Sequence, residues 1–533
     1  MTYRTFIKCF STLVLVPVSL TVSLAGVAIG KDYFLKAGVT VIPTRTFNNP
    51  KPITMWGFAS CTDGTFTNCS SARVPGPTLT VTQGDQLRIT VQNSLNGLYQ
   101  EPVSLMIPGL IKGLSQPMAP VWMIPPKKPQ GPNWPGAPVA NGSRPTPANP
   151  ADQNDPAYRY RVRSFDMETA VGATQTYVWD AFNATTGAGV KEGTYLYQSG
   201  THPAVQVQMG LFGPLIVYPP TGFGSAYAAP ATPGNPGHPA TVYNAEAVLL
   251  YSEIDPALHD AIATGHYGPN PPLLNPPPNW MTSTVNYTPR FFLINGKPYS
   301  TNSPVIPAGS LGQTVLLRFL NAGLATKVPT LQDTFNIIQT PPSNLPYMTL
   351  LAEDGYPVSW LKQQYSLLLP AGKTMDAVIT TTTTVSTGAT GANIALYDRR
   401  LNLTNSSVTP GGQLTYLNVG GVPAVNVFPT FVNFGSVQLF RPVQQTVTIK
   451  NNGLSALLAV NAAPACPPAA PACTDAAEFQ TNTILSTIDP GKSAAITVYF
   501  MPTTKGPKNA VLHIASSDPN QPTIDIPLYA VGM

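Results

Sequence analysis

Apolar and polar residues alternate along much of the chain, in short runs with a period of two. The run TLTVTQGDQLRITVQNSL (residues 78–95) has an apolar side chain at nearly every second position on both sides of Gln83–Asp85. Because successive side chains of a strand point to opposite faces of a sheet, this pattern predicts half-buried strands. We expect the two runs to form a β-hairpin that turns at Gln83–Asp85.

The same pattern continues to about residue 220. AYRYRVRSFDMET (157–169) and TQTYVWDAFN (174–183) predict two more strands, and residues 192–220 predict a strand, a loop and a second strand that closes on an apolar run. Residues 117–156 are rich in Pro, Asn and Gly and have no periodicity, which predicts a long surface insertion. We therefore predict a first β-unit over residues 31–220.

Two further units follow. A linker rich in Pro and Gly (219–240) precedes strands with Gly or Asn-Gly turns, and one short helix is predicted in DPALHDAIATGH (255–266), ended by Gly265. This second unit covers residues 221–420. Residues 421–533 contain short strands at regular spacing, which is typical of a small β-sandwich. The predicted fold class is all-β.

The first 30 residues predict a secretory signal peptide. Arg4 and Lys8 precede an uncharged apolar run, and small residues near its end offer cleavage points. Export to the periplasm or the cell surface is therefore expected, with no transmembrane segment after cleavage. An uncleaved amino-terminal anchor is the alternative, because the run is about long enough to span a bilayer.

Composition excludes some partners. Charged residues make up 10% of the chain, the formal net charge is only +5, and no Lys/Arg run occurs, so a nucleic-acid partner is not expected. The chain contains 43 Gly and 59 Pro, which agrees with many short strands joined by turns.

The cysteines outside the signal peptide form two close pairs, Cys61 with Cys69 and Cys466 with Cys473. In an exported chain, pairs of this spacing predict short loops closed by disulfides. A cysteine-rich metal site is the alternative, but no histidine flanks either pair.

Several of these runs resemble known families. VPGPTLTVTQGDQLRITVQN (74–93), EGTYLYQSG (192–200) and VQMGLFGPLIV (207–217) resemble the amino-terminal cupredoxin domain of multicopper oxidases. INGKPY (294–299), VLLRFLNAG (315–323), LLAEDGYPV (350–358) and LLLPAGKTMDAVI (367–379) are similar to their middle domain. The resemblance implies two cupredoxin-like Greek-key β-sandwiches.

The third unit resembles immunoglobulin-like domains of the ASH/Hydin type. The residues that carry this resemblance are FGSVQLFRPVQQTVTIKNNG (434–453), IDPGKSAAITVYFMP (488–502) and LHIASSDPNQPTIDIPL (512–528). It implies an immunoglobulin-like sandwich that serves for interaction or spacing. The carboxy-terminal cupredoxin domain of the oxidases has no counterpart in this sequence.

Copper chemistry of the oxidase kind requires one Cys thiolate and many imidazoles, because these ligands bind both oxidation states of copper. The resemblance implies eight cluster imidazoles in four His-x-His pairs. This chain has five histidines and no such pair; they are His202, His238, His259, His266 and His513. The first implied pair falls on Met106 and Pro108, and the second on Gln198 and Gly200. We call these four residues the former ligand positions.

A reduced copper site is the alternative to a complete loss of metal. His202 would supply one imidazole, with Met209 or Met106 as a thioether partner. The competing interpretation is a loop histidine that hydrogen-bonds the backbone. No cofactor is therefore expected, with copper as the alternative.

Other candidate residues are weaker. His259 and His266 would lie on one helix face, and we expect both to be solvated surface histidines. Trp134 and Trp280 lie in loops, where an indole could contact a partner or simply pack the loop.

We predict an exported, non-catalytic binding or structural component that contacts other proteins or copies of itself at the cell surface. The alternative is a copper-binding oxidoreductase with an altered site. Assembly into a filament through strand edges is a third possibility.

Overall fold

The computed structural model describes most of the chain from residue 30 onward. The described ranges are 30–43, 51–96, 101–123, 138–139, 161–229, 237–268, 277–300, 305–334, 336–341, 343–382, 391–406, 409–420, 425–451, 457–461, 464–466, 475–481, 485–489, 492–518 and 521–533. Nearly all of the predicted signal peptide, much of the predicted insertion, Trp134 and Cys473 lie outside these ranges.

In the described residues of the first unit there are ten strands and one short helix. They are β1 (Gly30–Ile42), β2 (Ile53–Cys61), β3 (Leu79–Thr82), β4 (Gln86–Asn93), β5 (Val121–Met123), β6 (Pro138–Val139), β7 (Arg161–Ser164), β8 (Thr174–Trp179), β9 (Gly193–Gln198), α1 (Pro203–Met209) and β10 (Phe212–Tyr218). One sheet has the order β2-β1-β4-β8, a second has β3-β10-β9, and a small third has β6-β5-β7. The predicted insertion is therefore not wholly irregular, since β5 and β6 belong to this small sheet.

The predicted hairpin at Gln83–Asp85 is wrong. β3 pairs in parallel with β10, whereas β4 pairs with β1 and β8 in the other sheet. The chain crosses between sheets at Gly84, whose φ of 108° favours glycine. Alternation specifies a strand with one buried face, but it does not specify which strand lies beside it.

The predicted loop before β10 contains helix α1. Pro203 lies in its first turn, where the missing N–H is not needed. The helix ends at Gly210, where an added Cβ would lie 2.2 Å from the Trp56 carbonyl oxygen. Only glycine fits this close approach, which presses α1 against β2.

The part of the second unit that the structure describes contains twelve strands and the predicted helix. They are β11 (Ser225–Ala226), β12 (Thr241–Val242), β13 (Ala245–Ile254), α2 (Pro256–Ala263), a 3-10 turn (Thr284–Asn286), β14 (Phe291–Ile294), β15 (Ile306–Pro307), β16 (Thr314–Asn321), β17 (Pro329–Gln332), β18 (Met348–Glu353), β19 (Tyr356–Gln364), β20 (Thr374–Thr380), β21 (Gly391–Asp398) and β22 (Leu414–Gly420). The two main sheets have the orders β14-β13-β16-β20-β18-β19 and β15-β22-β21-β17. β11 and β12 form a separate small ladder.

The third unit is also built from two sheets. Its strands are β23 (Val425–Phe428), β24 (Val432–Val437), β25 (Val443–Asn451), β26 (Leu457–Asn461), β27 (Phe479–Thr481), β28 (Leu485–Ile488), β29 (Ser493–Phe500), β30 (Gly506–Ser516) and β31 (Thr523–Gly532), with a 3-10 turn at Asp475–Glu478. The sheet orders are β23-β25-β29-β27 and β24-β31-β30-β26-β28. The all-β class is confirmed, and the paired sheets of the first two units are consistent with cupredoxin-like sandwiches.

Helix α2 shows how closely the first two units are joined. Asp255 caps it by accepting the Ala257 N–H at 2.9 Å, and Gly265 follows it with a φ of 73°, as predicted. Its residues Leu258 and Ile262 are almost fully buried in the core of the first unit. The second unit therefore completes the core of the first.

A buried ionic network lies across the same interface. Arg318 on β16 bonds Glu246 at 2.8 Å and lies 3.8 Å from Asp376 on β20. It also donates to the hydroxyl of Thr194 on β9 of the first unit at 2.9 Å. Burial raises the pKa of Asp376, although the nearby guanidinium opposes that change. Three strands of the second unit, each carrying one of these charged residues, are thus tied to a strand of the first.

The disulfide between Cys61 and Cys69 is confirmed. It closes a short loop at the end of β2. Cys466 is also disulfide-bonded. Its predicted partner, Cys473, lies outside the described residues, so that pairing stays a prediction. Within the described part of the chain, no helix has the length and apolar character needed to cross a membrane.

Replacing Arg318 with Met should lower the free energy of unfolding by about 3–5 kcal/mol, because Glu246 and Asp376 would remain buried without their cation. Urea denaturation followed by tryptophan fluorescence measures this. Arg88→Met is the matched control, since Arg88 pairs with Asp32 at the surface and its loss should cost about 0–1 kcal/mol. Equal losses in the two variants would contradict a structural role for the network.

Candidate functional site

The structure brings three of the four former ligand positions together. Met106 and Gln198 form a bridge in which each backbone N–H donates to the other residue's carbonyl at 2.9 Å. Gly200 is buried beside them, and an added Cβ there would lie 2.8 Å from the Ser104 hydroxyl and 3.5 Å from the Met106 sulfur. Pro108 lies apart from this contact, exposed in a turn.

His202 lies at the start of helix α1 and is held by a carboxylate. Its Nδ1 lies 3.0 and 3.2 Å from the two carboxylate oxygens of Glu101. Its backbone has a φ of 38°, in the left-handed region that is unusual for a residue with a Cβ, so the surrounding structure must hold it there. The expected loop histidine is therefore part of a side-chain pair rather than a ligand of the backbone alone.

Gln206 connects this pair to the rest of the site. Its amide nitrogen donates to Glu101 and to the Pro102 carbonyl, both at 3.0 Å. Its amide oxygen accepts from the Ser199 hydroxyl at 2.6 Å. Gln206 is fully buried, so these bonds satisfy polar atoms that water cannot reach.

Three buried hydroxyls form a second part of the site. Ser104, Ser164 and Thr201 bond one another at 2.7–3.1 Å, and we call this group the hydroxyl triangle. Ser164 also donates to the Asp166 carbonyl at 2.7 Å. The Thr201 hydroxyl lies 3.4 Å from Glu168, which pairs with Arg163. Hydroxyls and amides therefore surround the place where the family resemblance implies imidazoles.

Met209 lies elsewhere. It is fully buried at the end of α1, in the apolar core with Leu211 and Leu258. A thioether in this position packs against aliphatic side chains. A copper-ligand function for Met209 stays a prediction.

The residues at the former ligand positions do not fit the copper centres that the resemblance implies. Gln198 offers an amide, Met106 offers a thioether, and Gly200 and Pro108 offer no donor side chain. The single imidazole, His202, is held by Glu101. Among the described residues, no group of three or more His, Cys, Asp or Glu side chains is placed to hold a metal ion.

The expectation that His259 is solvated is wrong. His259 is 1% exposed, and its Nδ1 lies 2.6 Å from the carbonyl oxygen of Thr54, at the start of β2. Burial lowers its pKa from 6.5 to about 4, so the imidazole is neutral near pH 7. Helix periodicity located the residue on a face, but only the docking of α2 on the first unit decided that this face is covered.

His266 and Trp280 pack against each other. Their rings are stacked with centroids 6.1 Å apart, and the Trp280 indole donates to the Gly268 carbonyl at 2.8 Å. His266 Nδ1 bonds the Asn279 side chain. Trp280 therefore packs within its loop, and a partner contact by its indole stays a prediction.

Sequence comparison gives one family match. The model of Cep192 domain 4 matches residues 422–533, which is the third unit alone. No curated protein matches the chain.

Solved structures of copper proteins are similar to the chain at low identity. A blue copper oxidase from Nitrosomonas europaea has 15% identity and a TM-score of 0.41, with 73% of this chain and 85% of that chain covered. A copper nitrite reductase from the same organism has 15% identity and a TM-score of 0.41, with 73% and 94% covered. A multicopper oxidase from Pseudomonas thermotolerans has 13% identity and a TM-score of 0.39, with 95% and 100% covered.

Acid should destabilise the interface through His259. The unfolded chain binds a proton near pH 6.5, whereas the folded chain binds it near pH 4, so stability should fall as the pH drops from about 6.5 toward 4. The full loss should be about 3 kcal/mol. Urea denaturation at several pH values measures it.

His259→Gln should flatten this pH dependence between pH 6.5 and 4. His238→Gln is the control, because His238 lies near the surface and bonds backbone carbonyls. An unchanged slope in His259→Gln would assign the acid effect to other groups.

Proposed function

We propose that the protein is an exported, non-catalytic binding or structural component built on a scaffold that resembles multicopper oxidases. The observation that carries this proposal is the chemistry at the former ligand positions. Met106 and Gln198 are joined by main-chain hydrogen bonds, and a Cβ at Gly200 would lie 2.8 Å from the Ser104 hydroxyl.

The neighbouring polar groups support the same conclusion. Glu101 bonds both His202 and Gln206, and the hydroxyl triangle adds a second connected group. A buried polar network whose members bond one another stabilises one structure of the site. In this proposal the network replaces a metal centre as the element that fixes the loop before α1.

Export is supported by the disulfide between Cys61 and Cys69, because such bonds persist in oxidising compartments. The apolar run in the first 30 residues, preceded by Arg4 and Lys8, supports it independently. The expected partners are other proteins or copies of this chain in the periplasm or at the cell surface. The third unit, which resembles interaction and spacer domains, would contribute to such contacts.

Copper loading tests the proposal. Purified protein is incubated with copper(II), separated from free metal by gel filtration and measured for metal content and visible absorption. We expect much less than one copper per chain and no blue absorption band, because the former ligand positions lack imidazole and thiolate.

His202→Ala is the matched variant for this test. Residual copper that is unchanged in His202→Ala would be surface-bound and would agree with the proposal. About one copper per chain that disappears in His202→Ala, or oxidation of a phenol by the loaded protein, would overturn it in favour of a copper-binding oxidoreductase.

A further inference from the structure

The outer edge of the largest sheet in the second unit carries exposed aromatic side chains. The order β14-β13-β16-β20-β18-β19 leaves β19 at this edge. Tyr356 and Trp360 on β19 are 47% and 63% exposed, and Tyr365, directly after the strand, is 44% exposed. We call these three side chains the aromatic strip. Because β19 has nine residues, the strip is about 25–30 Å long.

The middle of β19 departs from regular pairing. Leu350 of β18 pairs with Lys362, and Ala352 pairs with Pro357, so that residues 358–361 of β19 lie opposite one residue of β18. A bulge bends its strand and changes the direction of its side chains. Residues 359–362 are exposed in succession, so no other part of the described chain covers the strand here.

A cation accompanies the aromatic ring at each end of the strip. Lys191 Nζ lies 3.8 Å from the centroid of the Tyr356 ring. At the other end, Arg399 donates to the Tyr365 hydroxyl at 2.6 Å, and its guanidinium carbon lies 5.3 Å from the centroid of that ring. Each contact holds an aromatic face and a positive charge side by side.

Lys362 supplies a third cation, two positions after Trp360, and it is exposed. The carboxylates in the turn before β19, Glu353 and Asp354, are both paired with Lys373. Among the described residues, no carboxylate forms an ion pair with Lys362 or with the cations at the two ends of the strip. The charge that remains available along the strip is therefore positive, which favours an anionic partner.

The same strand has features that oppose pairing with the edge of another sheet. Pro357 has no N–H, the bulge displaces the backbone, and Lys362 places a charge at the edge. Natural proteins use these three features to prevent association between sheet edges. A second copy bound symmetrically on this edge would also bring like charges together. The partner is therefore expected to bind to the rings and cations rather than to extend the sheet.

We infer that an acidic polysaccharide binds along the aromatic strip. The apolar C–H faces of its sugar rings pack on the three aromatic side chains. Its carboxylates pair with Lys191, Lys362 and Arg399, which are spaced along the same edge. The inference goes beyond the proposed binding function by giving a chemical class for one partner, and it rests on that proposal only for its setting at the cell surface.

Isothermal titration calorimetry of the full protein with a polygalacturonate oligomer tests the inference. We expect saturable binding that is weaker by about tenfold or more in Trp360→Ala, because the most exposed ring of the strip would be lost. Phe431→Ala is the matched control, since Phe431 is 55% exposed in the third unit, and this variant should bind as the unchanged protein does. Thermal melting verifies that each variant is folded.

Lys362→Gln tests the contribution of charge. Its affinity should fall by about twofold to fivefold, the loss expected for one exposed ion pair. Lys505→Gln is the matched control, because Lys505 is an exposed cation of the third unit. Equal weakening in the two variants would mean that only the total charge matters and would overturn a site on β19.

Three further probes separate the parts of the recognition. Dextran has sugar rings without charge, polyglutamate has carboxylates without sugar rings, and oligothymidylate has phosphates with stacking bases. Each should bind about tenfold or more weakly than polygalacturonate. Equal binding of dextran or polyglutamate would overturn the proposed ligand class. Tighter binding of oligothymidylate would overturn it in favour of a single-stranded nucleic acid.

No saturable heat with polygalacturonate would overturn the inference, as would equal affinity in Trp360→Ala. Sedimentation velocity gives a further test, because self-association that disappears in Trp360→Ala would assign the strip to a second copy of the chain. None of these results bears on copper, since the strip shares no residue with the former ligand positions. Stoichiometric copper at His202 would overturn the copper proposal and leave the strip as it stands, so the two failures are distinguishable.

Discussion

Arg318 is buried where the first two units meet, and the interface must supply its charge with partners. Moving a guanidinium out of water costs several kcal/mol, which only nearby anions and hydrogen-bond acceptors can offset. Glu246, Asp376 and the Thr194 hydroxyl supply these partners from strands β13, β20 and β9. Because Thr194 belongs to the first unit and the carboxylates to the second, the cation is fully satisfied only when the two units are docked.

The docking of the two units determines which side chains near their interface are buried. Helix α2 covers the first core, and this position buries His259 against the Thr54 carbonyl. The same docking leaves a cleft beside the helix, lined by residues of α2 and of the start of β2. The expected acid sensitivity therefore originates in the contact between α2 and β2.

At the former ligand positions, only part of the site could be predicted from the sequence. The sequence itself shows that Gln198 and Gly200 stand where the resemblance implies imidazoles. The partners Glu101 and Gln206 were missed, because a lone carboxylate and a lone amide in a loop have no spacing that marks them. Only the approach of residues about a hundred positions apart shows that Glu101 bonds both Gln206 and His202.

The sequence by itself determined the all-β class, the positions of most strands and the helix near residue 260, because side-chain periodicity and turn residues act within a few positions of the chain. It also determined which ligand atoms are missing. Tertiary structure decided that β3 and β4 lie in different sheets, that α1 replaces a loop, and that His259 is buried. Pairing and burial depend on distant residues, and local alternation carries no information about which of them will meet.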